Sequence, residues 1–187
     1  NGAASGSAFV VFGGASIATG NKPLDVTGTG NYNIRYDGGA ASDNLTVYGA
    51  IHIGDVSGDG FPDLVLGTYL ASNNGANSGS AWVMFSTLID DVGVTTGNNK
   101  PLSTATNYNL RYDGGAANNY LTIYGALQIG DVNGDSLPDL VLGASNADNN
   151  GSSSGSAWVI FGGTTITTVP DSYFRGTLNL QGPASLQ

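Results

Sequence analysis

The chain contains no cysteine and no glutamate, and its 187 residues include one methionine, one histidine and five lysines and arginines. Without cysteine there is no disulfide framework, no thiol nucleophile and no cysteine-based metal cluster. That absence leaves the cellular compartment open. The shortage of lysine and glutamate, the usual formers of exposed helical surface, disfavours long helices. Five basic residues stand against fourteen acidic ones, all aspartate, for a formal charge of −9. Such a balance argues against nucleic acid and against insertion into or binding on an anionic membrane. No apolar run approaches the roughly 20 residues that cross a bilayer, and no signal peptide is evident. The start at Asn1 rather than Met reads as a processed product or a piece of a longer protein.

What is abundant is glycine, thirty residues of it, with Asn, Ser and Thr around short runs of Val, Ile, Tyr and Thr. Short β-forming runs between turn-forming breaks predict an all-β chain, long enough to bury a sizeable core. Low lysine content and clustered aspartates suit a calcium-rich exterior, so an extracellular or cell-surface location is expected.

An internal repeat organises the chain. GSAFVVFGG (6–14) returns as GSAWVMFST (79–87) and GSAWVIFGG (155–163). The segment 31–68, NYNIRYDGGAASDNLTVYGAIHIGDVSGDGFPDLVLGT, returns without a gap at 107–144 as NYNLRYDGGAANNYLTIYGALQIGDVNGDSLPDLVLGA. Length changes fall around 13–31 and 86–107, as expected of surface loops. The array divides into units at 1–77 and 78–153 with a partial third at 154–187. Within a unit, LTVYGAIHIGD (45–55), PDLVLG (62–67), SAWVMF (80–85) and YNLRYDG (108–114) read as four strands in up-and-down order, a propeller-blade pattern. Runs apolar on both faces fit sheets stacked against other sheets. A β-solenoid is the competing reading, but its coils are much shorter than this period.

Tyr48-Gly49, Gly54-Asp55, the aspartate loop that follows and Gly67 resemble the FG-GAP repeat of integrin α-subunit propellers, with Tyr48 and Tyr124 where that family usually has Phe. The resemblance implies FG-GAP-type β-propeller blades, about two and a half of them, four-stranded and antiparallel, not closing a ring by themselves. It also implies adhesion or protein binding.

The aspartate loops carry the chemistry. In the first, Asp55, Ser57, Asp59 and Asp63 put side-chain oxygens at positions 1, 3, 5 and 9, and Phe61 offers its carbonyl at position 7. The second supplies Asp131, Asn133, Asp135, the Leu137 carbonyl and Asp139. Calcium takes six to eight hard oxygen ligands, and alternate residues of a tightly curled loop converge on one point. Gly58 and Gly60 permit such curling, whereas the second loop has Ser136 in place of the second glycine. Without a cation, carboxylates this close repel and raise one another's pKa. Two calcium sites are expected, and two ions would offset four of the nine net negative charges. The plainer alternative, an Asp/Gly turn favouring local hydrogen bonds, is weakened by the repetition in one frame. A two-carboxylate hydrolase is rejected because its pair needs unlike environments, and these loops are near copies.

Other residues read as structural. His52, a tempting catalytic base, has Gln128 as its counterpart. Arg35 and Arg111, beside Asp37 and Asp113, suggest a contact made once per blade, with a shared ligand site as the alternative. Phe9, Trp82 and Trp158 share one strand position and should pack between blades; exposed, they would stack on sugars. Asn44 and Asn150 open Asn-x-Ser/Thr patterns that matter only if the source glycosylates its exported proteins. No nucleophile–base pair or phosphate loop is present, so a non-catalytic protein is expected. TLNLQG (177–182) is read as a weak counterpart of the NIRYDG strand. Two and a half blades leave edges bare, so the expected partners are other copies of the chain or further blades of a longer parent, with a protein or glycan ligand. The leading reading is an extracellular, calcium-stabilised structural or adhesive array that builds a larger propeller or filament. The alternative is a carbohydrate-binding or accessory module of a larger secreted enzyme.

Overall fold

The computed structural model describes residues 2–13, 21–24, 31–89, 97–163, 166 and 177–180. Its strands form three sheets. In the first, β1 (Ser7–Val10) pairs antiparallel with β2 (Ile34–Asp37). The second is an antiparallel meander of β3 (Ile51–Gly54), β4 (Asp63–Thr68), β5 (Ser80–Met84) and β7 (Leu110–Gly114). The third holds β8 (Leu127–Gly130), β9 (Asp139–Ala144) and β10 (Ser156–Ile160). The chain is all-β, and its sheets are partial propeller blades of the expected strand order.

Two features depart from the sequence reading. The apolar run 45–55 is not one strand. Val47–Gly49 forms a single 3-10 turn, with Thr46 (φ 66°) and Tyr48 (φ 61°) left-handed, and β3 begins only at Ile51. The reason lies in the ladder. Gly67 accepts from the Thr46 N–H at 2.9 Å and donates to the Ala50 carbonyl at 2.8 Å, so residues 47–49 loop out between two bonds to one partner. Thr122, Gly143 and Ala126 repeat the arrangement at the same distances.

The second departure is a parallel strand added to each of two blades. β6 (Asn98–Pro101) lies parallel to β2, and β11 (Thr177–Leu180) lies parallel to β7. TLNL is therefore the counterpart of the Asn98–Pro101 strand, not of the NIRYDG strand, and it docks onto the second copy of that strand, β7; residues 181–182 of that segment lie outside the described residues. Alternation along a strand identifies which residues are buried, but not which strand edge receives a partner.

Packing explains the runs that are apolar on both faces. Along β4, Leu64 and Leu66 face a cluster shared with Ile34, Tyr36 and Ala8 of the first sheet. Val65, between them, faces a cluster shared with Leu127, Leu140 and Leu142 of the third. Along β5, Trp82 and Met84 point one way, Ala81 and Val83 the other. With side chains alternating across a strand, the middle blade is buried on both faces between its neighbours. Trp82 is fully buried in this way, and half-buried Trp158 packs against the second cluster, as expected. Phe9 meets Tyr32 edge-on at 5.1 Å.

The repeated Arg–Asp pair is likewise a structural contact, made within β2 and within β7. Arg35 meets Asp37 at 3.0 Å and Arg111 meets Asp113 at 3.1 Å. Ser7 and Ser80 donate their hydroxyls to the same carboxylates, at 2.7 and 2.6 Å. Burial raises the Asp113 carboxyl above its ordinary pKa, outweighing the lowering by the Ser80 hydroxyl and Arg111. A folded-state value above the unfolded one means the folded chain binds that proton more tightly. The group's contribution to stability therefore grows as pH falls through the raised value, and levels off below the ordinary carboxylate range. Substituting Asp113→Asn removes that contribution. In thermal melts from pH 7 to pH 4, the deficit of the variant relative to the unsubstituted chain should widen on acidification. A narrowing deficit would mean that pairing with Arg111 outweighs burial.

Candidate metal centre

Each aspartate loop joins the inner strand of a blade to the next: 55–62 links β3 to β4, and 131–138 links β8 to β9. The first-position carboxylate organises the curl. Asp55 Oδ1 accepts from the N–H groups of Gly58 (2.8 Å) and Asp59 (3.0 Å), and Oδ2 from that of Gly60 (2.8 Å). Asp131 does the same for Gly134 (2.7 Å), Asp135 (3.2 Å) and Ser136 (2.9 Å). Successive N–H groups aimed at one carboxylate fix the curl of the loop. Gly60 takes φ 87° here, and Ser136 is held at φ 71° in its place. A side chain in that region costs about 1–2 kcal/mol, so the second loop carries strain that the first does not.

The last position anchors the loop to the sheet. Asp63 and Asp139, both fully buried, open β4 and β9. Asp63 Oδ2 accepts from Ser57 N (2.8 Å) and Oδ1 from Ser86 N (2.8 Å); Asp139 accepts from Val132 N and Gly162 N, each at 2.9 Å. Burial raises the Asp63 carboxyl above the usual range, opposed by its hydrogen bonds and reinforced by the charge of Asp59.

Of the expected ligands, the structure gathers Asp55, Ser57 and Asp63: the Ser57 hydroxyl lies 3.4 Å from an oxygen of each carboxylate. Asp59 reaches from the rim of this group toward β5, its Oδ2 receiving the Ser86 hydroxyl at 2.7 Å and its Oδ1 the Phe61 N–H at 2.8 Å, with the Ser57 hydroxyl also bonded to its carboxylate. The Ser86 hydroxyl, with that N–H, holds its carboxyl below the usual range. In the second loop Asn133 contacts Asp135 at 2.9 Å, and Leu137 N donates to Asp135 at 2.8 Å. Phe61 sits at an exposed loop tip, and Leu137 is half-buried beside Gly163. Among the described residues, no three His, Cys, Asp or Glu side chains are drawn together as a metal cluster.

The donor set nevertheless fits a hard cation. It is all oxygen, and among the described residues both Arg/Lys–carboxylate pairs lie elsewhere, at Arg35–Asp37 and Arg111–Asp113. A buried carboxylate such as Asp63, lifted by desolvation and by a second carboxylate, is the group a cation relieves. His52 is half-buried on β3 at the register position of Gln128 on β8, paired across to Val65 as Gln128 is to Val141.

Sequence reasoning missed Ser86 and Gly162, which close the loops from the ends of β5 and β10. They sit at equivalent repeat positions but carry different side chains. It also missed a group of four tyrosines, two exposed and two half-buried, at the opposite end of β3 and β8. Two of those four break the repeat, and a comparison of units would have exposed them.

No curated protein matches the chain. Two segments match the FG-GAP repeat, residues 47–84 and 124–160, each running from a YG turn through the aspartate loop to the strand that follows β4 or β9. The chain carries two FG-GAP repeats.

Proposed function

We propose that the chain is a non-catalytic, extracellular blade array, stabilised by one calcium ion in each aspartate loop and completed by other copies of itself or by further blades of a longer parent. The repetition of the two loops supports the structural role. Both curl round a first aspartate and anchor through a last one, as a structural element copied per blade does and a single reaction centre does not. Asp55, Ser57, Asp59, the Phe61 carbonyl and Asp63 would hold one ion, and Asp131, Asn133, Asp135, the Leu137 carbonyl and Asp139 the other. A bound ion there supplies charge neutralisation and pins two strands together.

The observation that carries assembly is a hydroxyl without its counterpart. Ser7 and Ser80 donate to the aspartate of an RYD strand; Ser156, at the same position on β10, accepts from Asn149 at 2.8 Å as Ser80 does from Asn73 at 2.9 Å, but among the described residues it has no carboxylate to donate to. RYD occurs twice in the sequence, as β2 and β7. Among the described residues β10 pairs on one edge only, and it presents Val159 to solvent without a charged side chain to deter pairing. An added RYD-type strand would bring the missing carboxylate to Ser156 and cover that edge. Sedimentation of the 187-residue chain in calcium should give particles heavier than the 18.8 kDa chain. A folded monomer at high concentration overturns self-assembly.

A further inference from the structure

β3 and β8 each run from a YG turn to an aspartate loop, so turns and loops lie at opposite ends of the blades. At the turn end, four tyrosines form a continuous group, Tyr48 and Tyr124 exposed and Tyr69 and Tyr120 half-buried. Tyr48 lies 5.3 Å from Tyr124 and 5.5 Å from Tyr69, and Tyr69 lies 6.2 Å from Tyr120, ring centre to ring centre. Tyr48 is 54% and Tyr124 74% exposed, so this aromatic area is not recruited to the core. The turns stack closely: a Cβ on Gly125 would meet the Tyr48 carbonyl at 2.7 Å, and Gly125 itself sits at φ 72°.

Three of these tyrosines, 48, 120 and 124, hold left-handed backbone at φ 61°, 53° and 56°. Side-chain-bearing residues avoid that region, and Asn44, the counterpart of Tyr120, holds it too at φ 56°, so the blade turn itself imposes it. Repeat comparison separates the rings that the blade needs from those that it does not. Tyr48 and Tyr124 are equivalent, but Tyr69 and Tyr120 have Ser145 and Asn44 as counterparts. The blade architecture therefore requires neither, and both extra rings fall at one junction between the second and third sheets. Polar groups line the same edge. Asn77 donates to the Asn118 amide oxygen at 3.2 Å, with the Tyr120 hydroxyl 3.5 Å from that oxygen.

We propose that this tyrosine group binds a neutral carbohydrate chain. Rings inclined at 42° to 50° to one another present several facets rather than one flat stack, suited to successive sugar units. Their faces take the apolar C–H side of a pyranose, while the phenol hydroxyls and the Asn77 and Asn118 amides meet its hydroxyls. Among the described residues, the groups bonded beside the rings are the Asn77 and Asn118 amides and the Tyr120 hydroxyl, which suit a polyol better than a cation, and the charge of −9 disfavours a polyanion.

Calorimetry on the full 187-residue chain with cellohexaose, laminarihexaose, mannohexaose and maltohexaose tests this. Saturable binding to at least one is expected, with ring-proton signals of the four tyrosines shifting on saturation. The double variant Tyr69→Ser/Tyr120→Asn carries what the equivalent repeat positions hold, and it should bind at least about tenfold more weakly, the scale for losing aromatic anchors. Its melting curve reports whether it folds; if it does not, the tyrosine signals of the unsubstituted chain decide. Three results overturn the proposal: no binding to any of the four sugars, binding that leaves the tyrosine signals unmoved, or a folded double variant that binds undiminished. A proline-rich peptide that binds through these tyrosines when no sugar does would likewise overturn it, in favour of a peptide ligand.

Discussion

Adding calcium to the chelated chain should raise its melting temperature by about 10–20 °C and titrate two equivalents. The magnitude follows from mass action: an ion that binds only the folded state contributes about 2.7 kcal/mol at a hundred times its dissociation constant. Two sites together give about 5 kcal/mol, and about 2–4 °C accompanies each kcal/mol in a chain of this size. Structure supplies the reason for preferring the folded state. Asp55 and Asp63 lie eight residues apart and meet around the Ser57 hydroxyl only because the Gly58, Asp59 and Gly60 N–H groups curl the loop. An unfolded chain has no such convergence. Asp55→Asn and Asp131→Asn should each lower the uptake by one equivalent. An identical melting curve with calcium and with chelator would remove calcium from the reading of this fold.

Trp82→Ala should destabilise the chain by about 3–5 kcal/mol in urea unfolding, the usual range for emptying a large aromatic site in a core. Trp82 is fully buried between the first and second sheets, against Ile34, Tyr36 and Leu66. The neighbouring strands form separate sheets, so this interface has side-chain packing rather than a hydrogen-bond ladder along most of its length, and the cavity falls in its middle. Trp82→Phe should cost far less. Phe9 occupies the same repeat position, and the Trp82 indole N–H is buried with no partner among the described residues, so its removal relieves an unpaired donor. A loss below about 1 kcal/mol in the alanine variant would show that the blades are not held together through this face.

The blade order was legible because repetition and alternation speak to burial. Leu64, Val65 and Leu66 had to point to opposite sides, and a run apolar on both sides needs a neighbour on each. The YG turn was not legible, because Val47, Tyr48 and Ile51 are all β-forming residues. What separates them is a pair of backbone bonds to Gly67, and backbone bonding leaves no trace in side-chain chemistry. The parallel strand Asn98–Pro101 was hidden for a related reason: its residues are polar and half-exposed, and its partner is chosen by where a long connection happens to pass. At the candidate metal centre, the alternating oxygens gave the loop positions, and the structure brings three of the five together in the first loop. Asp59 is turned toward Ser86, a residue distant in sequence that no loop pattern contains.

The parallel strands have a mechanical consequence. The chain leaves the middle blade after β5, runs across to the preceding blade, where β6 hooks onto β2, and returns to complete the middle blade as β7. After β10 it reaches back again, and β11 hooks onto β7. The second and third blades thus grip their predecessors through backbone bonds as well as through packed side chains. Neighbouring blades cannot part under tension by sliding two greasy faces past each other; a hooked strand must also be torn from its ladder. Load applied at one blade passes to the next along covalent chain and hydrogen-bonded ladder together, as it does through the links of a chain.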